Sequence, residues 1–103
     1  MNSLSTHVLD ATTGRPASDL PVRLERSDGD LVAEARTDAG GRVAKLAAGL
    51  DAGDYRLVFY TGGYFPDTFY PQVVVMFTVA GPEQHYHVPL LLSPFAYSTY
   101  RGS

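Results

Sequence analysis

The chain has 103 residues, a net charge of −3 at pH 7, 12% aromatic and 18% charged side chains, and no cysteine. That length allows one domain, residues 1–103, in a globular composition, and the scattered basic residues argue against a nucleic-acid footprint. Without cysteine there is no disulfide, no thiolate nucleophile and no Cys-based zinc site. A chain this small buries only about two-thirds of its unfolded surface. A snug small-molecule pocket would therefore borrow wall from a second subunit. No apolar run approaches the roughly 18 residues of a membrane span, and the longest, Val73 to Val79, is of strand length. No basic-then-apolar leader follows Met1, which points to a cytoplasmic protein.

The elements read as β from the start. Leu4 to Leu9 is a first strand, closed by Thr13-Gly14-Arg15-Pro16. Val22 to Arg26 alternates apolar Val22 and Leu24 with charged Arg23 and Glu25, the period of a half-buried strand. Asp28-Gly29 marks a hairpin with Leu31 to Thr37 returning. After the turn Asp38-Ala39-Gly40-Gly41, Arg42 to Leu46 makes a short strand. Ala47 to Gly53 reads as a small-residue loop with room for one helical turn. Tyr55 to Thr61 is a strong strand, ended by Gly62-Gly63. Tyr64 to Pro71 is aromatic and Pro-interrupted, so a long helix is excluded there. Gln72 to Val79, His85 to Leu92 and Ser98 to Arg101 complete the pattern. Seven or eight short strands at this spacing, with at most one short helix, predict an all-β antiparallel sandwich.

Chemistry-bearing residues are few. On a regular strand His85 and His87 share a face, with Tyr86 opposite. Imidazole titrates near neutrality, so paired histidines suit acid–base work. Taken singly, each is equally an ordinary surface histidine. Three histidines, His7, His85 and His87, also satisfy a zinc count, although two at i, i+2 with a distant third is a weak pattern. Arg42, at the end of a glycine turn, is either a solvated strand end or a fixed cation for an oxyanion. The last residues, Tyr100-Arg101-Gly102-Ser103, are unusual for a chain end, which is commonly frayed and polar. Aromatics there also suit a core.

Taken in order, several blocks resemble the 5-hydroxyisourate hydrolases of the transthyretin-related family. They are Ser5-Thr6-His7-Val8-Leu9-Asp10 with Thr13-Gly14-Arg15-Pro16-Ala17, Thr37-Asp38 through Gly41-Arg42, and Gly53-Asp54-Tyr55-Arg56. Thr61-Gly62-Gly63-Tyr64-Phe65 and His85 through Pro94 follow. The closing Tyr100-Arg101-Gly102-Ser103 resembles the tetrapeptide that separates the hydrolases from transthyretin, the hormone carrier. The stretch between Gly63 and Val73 is shorter than in many relatives, so the family's helix there is expected to shrink to a turn.

The resemblance implies a transthyretin-like (prealbumin-like) sandwich acting as a homotetramer, a dimer of dimers with its sites between dimers. It implies hydrolysis of 5-hydroxyisourate to 2-oxo-4-hydroxy-4-carboxy-5-ureidoimidazoline, in the route from urate to allantoin, without cofactor or metal. It also implies the site. His7, Arg42, His87 and Ser103 would be catalytic, and His7, Arg42, Tyr100, Arg101 and Ser103 would hold the substrate. His85 sits in the motif without an assigned role. No Ser-His-Asp triad is evident, so direct attack by water is the expected chemistry. The alternatives are a non-catalytic small-ligand carrier like transthyretin and a purely structural sandwich module.

Overall fold

The computed structural model describes residues 2–103 as two packed sheets. Nine strands run in chain order: β1 Asn2–Asp10, β2 Arg15–Pro16, β3 Pro21–Arg26, β4 Leu31–Arg36, β5 Arg42–Leu50, β6 Gly53–Phe59, β7 Val73–Val79, β8 His85–Ser93 and β9 Ala96–Thr99. One sheet has the order β2-β1-β8-β9, with β5 also on β1, and the other is β4-β3-β6-β7. The count exceeds the expected seven or eight because β2 is a two-residue ladder against β1. One pairing departs from an antiparallel scheme: β1 and β8 run parallel, Ser3 opposite His85 through Asp10 opposite Leu92.

Period-two alternation builds the core. Leu4 and Val8 on β1, Val22 and Leu24 on β3, Leu57 and Phe59 on β6 and Leu90 and Leu92 on β8 are essentially inaccessible. Their sequence neighbours face outward, as a pleated strand requires. Each such side chain removed from water contributes about 1.5–3 kcal/mol. The outer face of the β5-β1-β8-β9 sheet is thereby left to Ser3, Ser5, His7, His85 and His87.

Three expectations change. Ala47 to Gly53 is not a loop, since β5 runs to Leu50 and β6 begins at Gly53. The misreading has a physical cause. Thr6 faces Val43 while Leu4 faces Ala47, so two steps on β1 span four on β5, and the bulges break the alternation. The last strand is Ala96–Thr99 instead of Ser98 to Arg101, and Thr61 opens a 3-10 turn, Thr61–Gly63, instead of closing β6. That turn is the only helical element among the described residues. It is pinned by the Gly62 N–H on the Pro71 carbonyl at 2.9 Å and by the Thr61 hydroxyl on the Tyr70 carbonyl.

The turn before β5 is built by two residues. The Asp38 carboxylate accepts from the Gly40 and Arg42 N–H groups, each at 2.9 Å. Gly41 sits at φ 74°, and a Cβ there would collide with the Val8 carbonyl oxygen. Gly41→Ala should therefore cost about 2 kcal/mol or more, lowering Tm by about 10 °C. A thermal melt with an unchanged midpoint would contradict this.

Candidate functional site

Strand register brings the histidine cluster together. Because β1 and β8 run parallel, Ser3 lies beside His85 and Ser5 beside His87. On the other side of β1, His7 stands opposite Arg42 of β5. The result is a polar strip on one sheet face, drawn from three adjacent strands. An open cleft of about 260 Å³ runs over it, lined by Ser5, Thr6, Arg42, Ala44, His85, His87 and Ser103.

Within the strip the hydrogen bonds form a chain. Ser3 Oγ lies 2.6 Å from His85 Nδ1. Ser5 Oγ lies 2.8 Å from His85 Nε2 and 2.8 Å from His87 Nδ1. With Nδ1 so engaged, His87 Nε2 points away from Ser5. The His87 imidazole is held below its ordinary pKa of 6.5, first by burial, then by the Arg42 guanidinium and by His7 and His85, against a backbone hydrogen bond to Ser5 that favours the ring proton. At neutral pH it is a neutral imidazole with a free lone pair. Arg42 makes no ion pair among the described residues, so its charge is open to the cleft.

The last residues are held in place by the sheet. Leu90 pairs with Thr99 in the β8–β9 ladder, and His87 bridges Gly102 in that same register. The ladder lapses between them because Pro89 has no N–H to offer. The Gly102 N–H donates to the His87 carbonyl at 2.8 Å. A Cβ on Gly102 would sit 2.5 Å from His87 Cδ2, so only glycine lets the backbone lie against that ring. Ser103 is thereby brought to the cleft.

Tyr100 and Arg101 lie on another side of His87. With His87, Met76, Phe77 and Tyr86 they line a second cleft of about 320 Å³ between β7 and the last residues. Arg101 donates to Gln84 Oε1 at 2.8 Å and lies 4.8 Å over the Tyr86 ring. Tyr100 is 60% exposed. The structure thus brings His87, Arg42 and Ser103 into one cleft with His7 alongside, and Tyr100 and Arg101 into a second cleft that His87 also lines. Sequence reasoning missed Ser3 and Ser5. The available signal was that Ser5 lies two residues before His7, on the same strand face. Among the described residues no group of three His, Cys, Asp or Glu side chains is arranged to hold a metal ion.

A two-sheet sandwich with a polar cluster on one open sheet face defines a class shared by small-ligand carriers and by hydrolases. Residues 4–102 match the HIUase/Transthyretin family, and the chain belongs to that family. It is 47% identical to the 5-hydroxyisourate hydrolase of Caulobacter vibrioides, with all of both chains covered. The solved 5-hydroxyisourate hydrolase of Klebsiella pneumoniae superposes with a TM-score of 0.92 at 40% identity, again over all of both chains. Sea bream transthyretin in complex with thyroxine gives 0.88 at 34% identity, covering 97% of this chain and 94% of that one.

Proposed function

We propose that this protein hydrolyses 5-hydroxyisourate to 2-oxo-4-hydroxy-4-carboxy-5-ureidoimidazoline, and that His87, Arg42, His7 and Ser103 carry the reaction. The observation that carries this reading is His87 itself. It is an imidazole held neutral, with Nδ1 tied to Ser5 and Nε2 without a hydrogen-bond partner among the described residues, beside an arginine that makes no ion pair among them. Full-length relatives that bear the hydrolase name support the same conclusion.

The chemistry follows from the geometry. A lactam carbonyl placed against Arg42 is polarised, and the guanidinium stabilises the oxyanion that forms as water adds to the carbonyl carbon. His87 Nε2, within reach of that water, takes its proton. The tetrahedral adduct collapses with cleavage of the carbon–nitrogen bond. The departing nitrogen receives the proton from His87 and becomes part of the ureido group, while the carbonyl becomes a carboxylate. His7 stands beside Arg42 at the edge of the cleft, and Ser103 adds a hydroxyl for the ring edge. Arg101, engaged by Gln84 and Tyr86, anchors the last residues, and Tyr100 offers its ring at the rim. A carrier of apolar ligands gains nothing from this hydrogen-bonded cluster.

The pH dependence follows in sign. His87 is competent when deprotonated, and its pKa is lowered. The acid limb of kcat/KM should therefore fall below pH 6.5, with a plateau through neutrality. A limb above pH 7 would contradict the assignment.

The cleft is open on one side, and we read it as half of a site closed by the same face of a second copy, within a homotetramer. Strands β9 and β7 are sheet edges with unpaired backbone groups, and Phe95, Tyr97 and Met76 are exposed on or beside them. Such edges are templates for strand pairing. Sedimentation should give a tetramer, and an active monomer would overturn that assembly. The hydrolase reading is tested by NMR of the product. With the protein present, 2-oxo-4-hydroxy-4-carboxy-5-ureidoimidazoline should build up ahead of spontaneous decay. Substrate that persists longer than in buffer would point to a carrier instead.

A further inference from the structure

We propose that Ser5 is a positioning residue for this reaction, its hydroxyl fixing the ring orientation of His87 and joining His87 to His85 in a single proton relay. The inference rests on His87 being the base, and extends that reading to residues it leaves unused.

The geometry is specific. Ser5 is nearly buried, and its Oγ is 2.8 Å from a nitrogen of each ring. A hydroxyl has one hydrogen, so it donates to one of those nitrogens and accepts from the other. If the Ser5 O–H donated to His87 Nδ1, the His87 proton would sit on Nε2 and leave the base no lone pair in the cleft. In the arrangement that serves a base, His87 Nδ1–H donates to Ser5 Oγ, and the Ser5 O–H donates to His85 Nε2. His85 then carries its own proton on Nδ1 and donates to Ser3 Oγ, 2.6 Å away. Of the four ring nitrogens, His87 Nε2 alone keeps a lone pair with no partner in the chain, on a ring that lines the cleft. Fixing a tautomer through the other ring nitrogen is how an imidazole base is aimed.

The chain also moves charge. When His87 Nε2 takes a proton from water, the Nδ1 proton passes to Ser5 and the Ser5 proton passes to His85 Nε2. No bond to carbon changes and no proton is lost. One positive charge leaves His87, which is crowded by Arg42 and His7, and arrives on His85, which is exposed. Reversing the two transfers returns the proton to Nε2 for the departing nitrogen. His85, unassigned until now, becomes the solvated end of the relay.

The test is nitrogen-15 NMR of the imidazoles in the wild type, Ser5→Ala and Ser5→Thr, without substrate, followed by kcat against pH. In the wild type the neutral form of His87 should carry its proton on Nδ1. In Ser5→Ala that preference should be lost, kcat should fall on the order of 10-fold or more, and the acid limb should move to lower pH because the imidazolium has lost an acceptor. Ser5→Thr, which keeps the hydroxyl, should restore all three. If Ser5→Ala does not fold, Ser5→Cys makes the same comparison with a far weaker hydrogen-bonding group. An unchanged His87 tautomer and an unmoved limb in the variant lacking the hydroxyl would overturn the relay. Full activity in His87→Ala would instead remove the base assignment, and the NMR spectra would still judge Ser5.

Discussion

His87→Ala is expected to lower turnover of 5-hydroxyisourate by about 100-fold or more while the sandwich remains intact. A positioned general acid–base group contributes on the order of 100- to 10,000-fold, and His87 is the ring here whose lone pair is both free and held neutral. Its structural stake is small. The side chain projects from the outer sheet face, whereas its neighbours Tyr86 and Val88 supply the core. Circular dichroism and Tm should therefore stay near wild type. Arg42→Ala should be comparable in size, because removing one preorganised oxyanion partner costs on the order of 100-fold or more. His85→Ala should be milder, since it ends the relay without removing the base. If His85→Ala were the dead variant and His87→Ala nearly normal, the roles of the two rings would have to be exchanged.

Deleting Tyr100 to Ser103 should abolish most catalysis and spare the fold. Those four residues continue the β9 register past Pro89, yet they contribute no buried hydrophobic side chain to the core. What they give is a wall. Gly102 lies against the His87 ring and bonds its carbonyl, and Ser103 lines the cleft. Without them His87 gains solvent and freedom to rotate, which would undo both its lowered pKa and its aim. A chain ending at Thr99 should keep its circular dichroism and its mass in solution while kcat/KM falls on the order of 100-fold. A folded, tetrameric and fully active truncation would show that these residues are a passive end.

Much of this was legible in the residues. Alternation in Val22 to Arg26 gave the face of β3, and the i, i+2 spacing of His85 and His87 placed both on one face of β8. The features that stayed hidden are long-range. Nothing local announces that β1 pairs with β8 in parallel, and that pairing is what sets Ser5 between two imidazoles contributed from 80 and 82 residues away. The bulged end of β5 reads as a loop because its small residues, Ala47 to Gly49, carry no period-two pattern. The contacts of Arg101 were hidden in the same way. Its partners Gln84 and Tyr86 lie just before and on another strand, and sequence spacing does not reveal which face a continued edge strand turns inward.

The central claim is that this open cleft turns over 5-hydroxyisourate. The most direct measurement generates that compound from urate with urate oxidase and follows its absorbance after the oxidase is exhausted, using this protein at far below the substrate concentration. The wild type should clear many equivalents well ahead of spontaneous decay, and the same amount of His87→Ala should leave decay close to the buffer rate. Decay no faster with the wild-type protein than in buffer would contradict the account.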